Sequence, residues 1–149
     1  MSTYTQIFYH IVFSTKRRET VLVAIGRETL FRYIWGLTRA RDSRLYHVNG
    51  TLDHVHILAG LHPTRSLADF VKEIKVCSSH WIKTNGIFTG FSGWQAGYGA
   101  FTHSKQDKER LIQYIKGQKQ HNTRVSFADE LRSLLIEACV EFDEKYLLR

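Results

Sequence analysis

The hydrophobic residues near the start of the chain alternate in a way that predicts a buried β-strand. Residues 4–14 are rich in β-branched and aromatic side chains, which favour strands. Successive strand side chains point to opposite faces, and both faces of this segment are apolar. Such a strand is typical of the centre of a sheet. One face would carry Ile7, Tyr9, Ile11 and Phe13, and the other Phe8, His10 and Val12.

The later parts of the chain alternate between helical and strand-like patterns. Ser66, Ser104 and Ser126 each begin a Ser-x-x-Asp pattern, which is typical of a helix N-terminus. Asn49-Gly50 predicts a tight turn within an antiparallel hairpin. Residues 139–149 have no assignable pattern. After the first strand we predict a helix over 23–41, strands over 45–48 and 54–61, a helix from 66, a glycine-rich loop over 85–93, a strand over 94–102, a helix over 104–120 and a helix from 126.

This order of elements predicts an α+β fold. Strand, helix, strand, strand, helix, strand is the ferredoxin-like split βαβ arrangement, with one antiparallel sheet and helices on one face. The C-terminal helices are added to that unit, and the other face of the sheet could hold a site. No internal repeat or linker divides the chain, so we expect a single domain over residues 1–149.

Composition indicates a globular protein with a polyanionic partner. Hydrophobic residues make up 43% of the chain and the formal net charge is +7. Such a charge favours nucleic acid, although a merely basic protein would look the same. There is no apolar run of the ~18 residues needed to span a membrane and no N-terminal leader pattern. The two cysteines, Cys77 and Cys139, form no disulfide framework or zinc motif, so we expect a cytoplasmic protein.

Two histidines in the third predicted strand are candidates for metal ligands. His54 and His56 are two residues apart, so they project from the same face of the strand. Neutral imidazoles held in this way can share a divalent ion. For this motif alone, local hydrogen bonding is the simpler interpretation. We expect His10 to be a packed histidine rather than a ligand.

The helix after the last strand carries a tyrosine and a glutamine on one face. Tyr114 and Gln118 are four residues apart, which makes them neighbours on a helix. A phenol becomes a nucleophile beside a metal ion, and a glutamine carbonyl oxygen suits a hard cation. Without further context, each would be an ordinary partly buried or surface residue.

Two groups of basic residues could contact phosphates. One follows the first strand directly, and the other is a row along the helix that starts at Ser66. Solvated surface positions would show the same patterns, so the residues alone leave both interpretations open. The candidates are Lys16, Arg17, Arg18, Lys72, Lys75 and Lys83.

These segments together resemble the single-tyrosine HUH-type transposases of bacterial insertion sequences, the two-hundred-like family. The resemblance covers most of the chain and keeps the order of the family's motifs. The His-hydrophobic-His core is short, but a downstream Tyr-x-x-x-Gln helix makes the combination specific. The matching segments are YHIVFSTKRR at 9–18, NGTLDHVHIL at 49–58, SLADFVKEIKVCSSHWIK at 66–83, WQAGYGAF at 94–101 and YIKGQ at 114–118.

The resemblance implies the chemistry of the site. His54, His56 and Gln118 would ligate a divalent ion, Mg²⁺ or Mn²⁺, and Tyr114 would attack a phosphate of single-stranded DNA. The products would be a 5′-phosphotyrosine link and a free 3′-hydroxyl. The resemblance also implies hairpin-bearing element ends as substrate, a homodimer in which the tyrosine helix can act in trans, and a bacterial, nucleoid-associated protein.

Three other functions remain open from the sequence. A related branch of host-maintained enzymes processes chromosomal repeats. A basic protein could bind single-stranded nucleic acid on the same sheet without catalysis. A small His-x-His metal hydrolase would use no covalent intermediate, but it gives no reason for Tyr114 and Gln118 to share a helix face.

Overall fold

A four-stranded antiparallel sheet forms the centre of the protein. The computed structural model describes residues 2–118 and 125–147. The strand order is β2-β3-β1-β4, in which β1 pairs with both β3 and β4. This is the split βαβ topology, so the predicted α+β, ferredoxin-like fold is confirmed. The strands are β1 (Phe8–Ser14), β2 (Arg44–Gly50), β3 (His54–Gly60) and β4 (Gly99–His103).

Two long helices cover one face of the sheet. They are α1 (Ala24–Ala40) and α2 (Leu67–Asn85). The Ser66 side chain accepts a hydrogen bond from the Asp69 backbone N–H, so the predicted cap at the start of α2 is present. Helix α2 ends at Gly86 in the left-handed conformation. The main hydrophobic core lies between these helices and the sheet, and it includes Ile11, Phe13, Ile57, Leu30, Ile34, Phe70 and Ile74.

Two C-terminal helices cover the opposite face. They are α3 (Lys108–Lys116) and α4 (Phe127–Glu137). The sheet is therefore covered on both faces, which explains why β1 is apolar on both. Helix α3 packs through Leu111 and Ile115 on Phe8 and Leu58. Helix α4 packs through Phe127 and Leu131 on Val12 and Phe101.

The predicted Asn49-Gly50 turn is wrong, because both residues belong to β2 and the chain reverses over 51–53. The Asn49 amide donates to the backbone carbonyl of Ile115 near the end of α3, 2.9 Å away. Gly50 is needed because a Cβ there would lie 2.4 Å from the His54 carbonyl oxygen. The Asn49 contact joins distant segments and is not visible in the local sequence, whereas Gly50 allows the close approach of the two strands of the hairpin.

Other element boundaries also differ from the predicted ones. The first strand begins at Phe8 rather than at residue 4, and β4 begins at Gly99 rather than at 94. The Ser104 hydroxyl donates to the Asp107 carboxylate and caps no backbone N–H, and a short 3-10 turn precedes α3. The predicted end of that helix at residue 120 lies outside the described residues. Across the described parts of the chain, no helix is long and apolar enough to cross a membrane.

Candidate active site

Strand β3 places His54 and His56 on the face of the sheet under α3 and α4. Neither imidazole has any exposed surface. His54 Nδ1 lies 2.7 Å from Asp53 Oδ1 and 3.1 Å from the Thr51 hydroxyl. These contacts orient the His54 ring so that its Nε2 points into a buried cluster of polar atoms.

Glu130 of α4 reaches the same cluster, although the sequence did not single it out. One carboxylate oxygen lies 2.9 Å from His56 Nε2, and the other lies 3.6 Å from His54 Nε2. Glu130 is 2% exposed, so it is a buried carboxylate between two histidines. Phe127, Leu131 and Leu134 share its apolar stripe. An acid at a core-facing helix position was the signal that could have identified it.

Tyr114 of α3 lies on the other side of Glu130. Its hydroxyl donates a hydrogen bond to Glu130 Oε1, with the oxygens 2.6 Å apart. The ring lies edge-on to His56 with centroids 5.9 Å apart. A cavity of about 280 Å³ borders Tyr114 and is open to solvent. The predicted nucleophile therefore lies beside the histidines of its own chain.

Gln118, the last described residue before 119–124, is also brought into the cluster. It is fully buried, and its Oε1 lies 3.3 Å from His54 Nε2. The structure thus brings together all four residues that the sequence selected for this site, and it adds Glu130.

The donor atoms lie close enough together that one divalent cation could contact them. One ligand atom from each of His54, His56 and Glu130 lies within 4.8 Å of the others. Neighbouring ligands in an octahedral Mg²⁺ site, with bonds of about 2.1 Å, are about 3.0 Å apart. The contacts of 2.9, 3.3 and 3.6 Å are close to that spacing. Two imidazoles, a carboxylate and an amide oxygen suit a divalent metal ion.

Burial and pairing move the pKa values of these groups in different directions. Burial alone would lower the pKa of His54, but the hydrogen bond to Asp53 and the nearby Glu130 carboxylate outweigh this effect and raise the pKa to about 9. Burial lowers the pKa of His56 despite the nearby carboxylate. The two histidines hold the pKa of Glu130 well below its usual value, against the effect of burial. Burial and the hydrogen bond to Glu130 raise the pKa of Tyr114.

The raised pKa of His54 predicts a pH-dependent stability of the metal-free protein. Its protonated form is favoured in the folded state, so its contribution is complete below about pH 6.5 and is lost as the pH rises through about 9. Between pH 6.5 and 8 we expect the free energy of unfolding in EDTA to fall as the pH rises. Above pH 8 the half-buried Lys75, whose pKa is lowered to about 8, acts in the opposite direction.

Urea titrations of wild type and His54→Gln at several pH values measure this effect. The variant should lose the slope between pH 6.5 and 8. Equal slopes in the two proteins would contradict the assigned pairing of His54.

Four of the six predicted phosphate contacts line one cleft on the opposite side of the sheet. This cleft, called the basic cleft below, has a volume of about 790 Å³. Arg18 and Lys72 do not line it. Arg17 has a left-handed φ of 56°, a strained conformation for a non-glycine residue. The lining includes Lys16, Arg17, Lys75, His80, Lys83 and Trp94.

Lys75 has a structural role within this cleft. Its ammonium group donates to the backbone carbonyl oxygens of Gln95 and Gly97, and burial lowers its pKa to about 8. Trp94 is held in the same way, because its indole N–H donates to the Ser78 hydroxyl at 2.9 Å. These bonds tie the loop before β4 to helix α2.

Comparison with known proteins places the chain in a family. Residues 3–118 match the family model described as "Transposase IS200 like". The chain is 25% identical over 118 residues to the ISDra2 transposase TnpA of Deinococcus radiodurans. The alignment covers 76% of this chain and 84% of that protein. Helix α4, with Glu130, lies beyond the residues that match the family model.

Two solved structures have a similar fold. One is a crystal structure from Deinococcus radiodurans R1, described as a candidate transposase, with a TM-score of 0.61 and 25% identity over 79% of this chain and 95% of that chain. The other is a REP-associated tyrosine transposase bound to a REP hairpin, with a TM-score of 0.56 and 18% identity over 78% of this chain and 72% of that chain. The family match, which covers most of the chain, shows that the protein belongs to the IS200-like transposase family.

Proposed function

We propose that this protein cleaves and rejoins single-stranded DNA through a covalent 5′-phosphotyrosine intermediate on Tyr114. Family membership makes it a DNA-cleaving and strand-transferring enzyme. The observation that supports the finer proposal is the contact between Tyr114 and Glu130, because Glu130 also contacts both histidines. The proposed nucleophile and the candidate cation ligands therefore lie in one cluster.

The proposed ligands are His54, His56 and Gln118, joined by Glu130. When bound there, a divalent cation would polarise the scissile phosphate and favour loss of the phenol proton. Mg²⁺ or Mn²⁺ is proposed because the amide and carboxylate oxygens are hard donors.

The residues of the chain hold the reacting groups in place. Asp53 orients the His54 ring, and Glu130 fixes the Tyr114 hydroxyl against the histidines. Attack of the Tyr114 oxygen on phosphorus forms the phosphotyrosine bond and breaks the bond to the 3′ oxygen, which takes up a proton. Attack by another 3′-hydroxyl reverses these bond changes and joins two strands without ATP.

The proposed partner is single-stranded DNA with hairpins near the cleavage site. A structural neighbour of this chain is bound to a hairpin, and the protein carries a net charge of +7. A homodimer is also proposed, from the family resemblance. Because Tyr114 lies next to its own histidines, we propose that cleavage occurs in cis.

The test is incubation of the protein with labelled hairpin-bearing single strands and with the matching full duplex. We expect a denaturation-resistant protein–DNA adduct with the single strands in Mg²⁺ or Mn²⁺ and none in EDTA. The duplex should react far less, because its scissile phosphate is constrained by base pairing. Equal adduct from duplex and single strands, or full yield in EDTA, would contradict the proposal.

Replacing Glu130 by glutamine should weaken both cation binding and cleavage. Glutamine keeps an oxygen for the Tyr114 hydroxyl but removes the charge, so we expect Mn²⁺ affinity to fall about 10-fold or more. Glu141→Gln is the matched control, because Glu141 is exposed. Titration calorimetry and adduct yield measure the two effects. Faster cleavage by Glu130→Gln would show instead that the carboxylate blocks the site.

Replacing Lys83 should change the binding of single strands, whereas replacing Lys75 should change thermal stability, although both side chains line the basic cleft. Lys83→Gln should reduce the slope of log affinity for single strands against log salt by about 0.7, because one phosphate contact is lost. Lys75→Met should leave that slope unchanged and lower the thermal stability, because two backbone carbonyls lose their donor. Salt titrations by fluorescence anisotropy and thermal melts measure both. A reduced slope in Lys75→Met together with an unchanged slope in Lys83→Gln would show that Lys75, not Lys83, contacts a phosphate.

A further inference from the structure

We propose that His10 is a positioning residue that fixes the tautomer and ring orientation of His56 for cation binding. His10 lies on β1, next to β3, and its Nε2 is 2.8 Å from His56 Nδ1. Both rings are fully buried. The inference rests on the proposed cation site and assigns a role to a residue outside the proposed ligands.

The geometry determines which nitrogen of His56 must carry a proton when a cation is bound. His56 Nε2 points to the candidate ligand atoms, 2.9 Å from Glu130 Oε1. An imidazole that binds a cation through Nε2 keeps its proton on Nδ1, and a buried N–H needs an acceptor. His10 Nε2 is the acceptor at hydrogen-bond distance.

His10 Nε2 can accept this hydrogen bond, because a neutral imidazole has one ring nitrogen without a proton and Nε2 is the nitrogen that faces His56. The nearby His54 has a corresponding partner in Asp53, at 2.7 Å. Each candidate histidine ligand therefore has its own orienting group.

The other nitrogen of His10 shows that packing alone does not explain this residue. Its Nδ1 is buried and has no hydrogen-bond partner among the described residues. A buried polar atom without a partner destabilises the fold, and an apolar side chain of similar size would avoid that cost. The hydrogen bond to His56 gives a reason for a histidine here.

The experiment compares two variants of His10 with a matched control. His10→Leu removes the acceptor, whereas His10→Gln can place an amide oxygen near the position of Nε2. His47→Leu is the control, because His47 lies on the edge strand β2. Mn²⁺ affinity is measured on the full chain without DNA, and thermal melts verify that each variant is folded.

We expect His10→Leu to bind Mn²⁺ about 10- to 100-fold more weakly. His10→Gln should stay within a few-fold of wild type, and His47→Leu should be unchanged. Wild-type affinity in His10→Leu would overturn the proposal. Equal losses in the Leu and Gln variants would also overturn it, because the residue would then act through packing.

A spectroscopic measurement on wild type avoids any variant. In ¹⁵N-labelled protein loaded with Mg²⁺, we expect a scalar coupling between His56 Nδ1 and His10 Nε2 across their hydrogen bond. Absence of this coupling in the loaded protein would overturn the proposal. These measurements involve no DNA, so a protein that binds cations in this way but forms no adduct would refute the proposed function alone. A wild-type protein that binds no Mn²⁺ would refute this inference together with the proposed cation site.

Discussion

Tyr114→Phe should form no covalent protein–DNA species while still binding Mn²⁺ and single-stranded DNA. The substitution keeps the ring that packs against His10 and His56, and it removes only the oxygen bonded to Glu130. Loss of a nucleophile lowers the rate by several orders of magnitude, to the background level. Denaturing gels of labelled single strands measure the adduct, and titration calorimetry measures the cation.

The control is Tyr33→Phe, because Tyr33 lies on α1, which covers the other face of the sheet. Its hydroxyl lies 3.4 Å from the backbone carbonyl oxygen of Cys77, outside the cluster. It should cleave at the wild-type rate. A denaturation-resistant adduct from Tyr114→Phe would place the nucleophile on another residue.

His56→Ala should have the second large effect. The imidazole is a proposed ligand and contacts Glu130 and His10, so its removal should lower both Mn²⁺ affinity and cleavage by more than about 100-fold. The control is His62→Ala, because His62 follows β3 and bonds to Thr64 outside the cluster. Cleavage by His56→Ala at the wild-type rate in Mg²⁺ or Mn²⁺ would contradict the ligand assignment.

Mixing His56→Ala with Tyr114→Phe distinguishes cis from trans cleavage. If cleavage occurs in cis, one site of each mixed dimer lacks the His56 ligand and the other lacks the Tyr114 nucleophile. Cleavage should then stay at the background level. Recovery of cleavage in the mixture would show that one chain supplies its tyrosine to the histidines of another.

Local patterns were enough to predict which residues share a face at the centre of the candidate site, but their roles were predicted from the family resemblance. His54 and His56 follow from strand alternation, because two residues on one strand share a face regardless of the rest of the fold. Tyr114 and the segment before it formed a helix as expected. The order of strands and helices was enough to predict the split βαβ topology, because few ways of packing that order are open to a single sheet.

Contacts between distant segments could not be predicted from local sequence patterns. Glu130 joins the cluster only because α4 folds back over the sheet, 74 residues after His56 by residue number. Asn49 looked like a turn residue, but its amide bonds to the end of α3. Lys75 looked like a phosphate contact, but its ammonium group binds two backbone carbonyls. In each case a tertiary partner determines what the side chain does.

Peptide mapping of the adduct tests most directly whether Tyr114 attacks the scissile phosphate. Wild-type protein is incubated with a labelled hairpin-bearing strand and Mg²⁺, digested with a protease, and the DNA-linked peptide is sequenced by mass spectrometry. We predict that the peptide contains Tyr114, linked to the 5′-phosphate of the downstream fragment, with a free 3′-hydroxyl on the other fragment. A linked peptide without Tyr114, or a nucleotide joined through its 3′ end, would contradict the account.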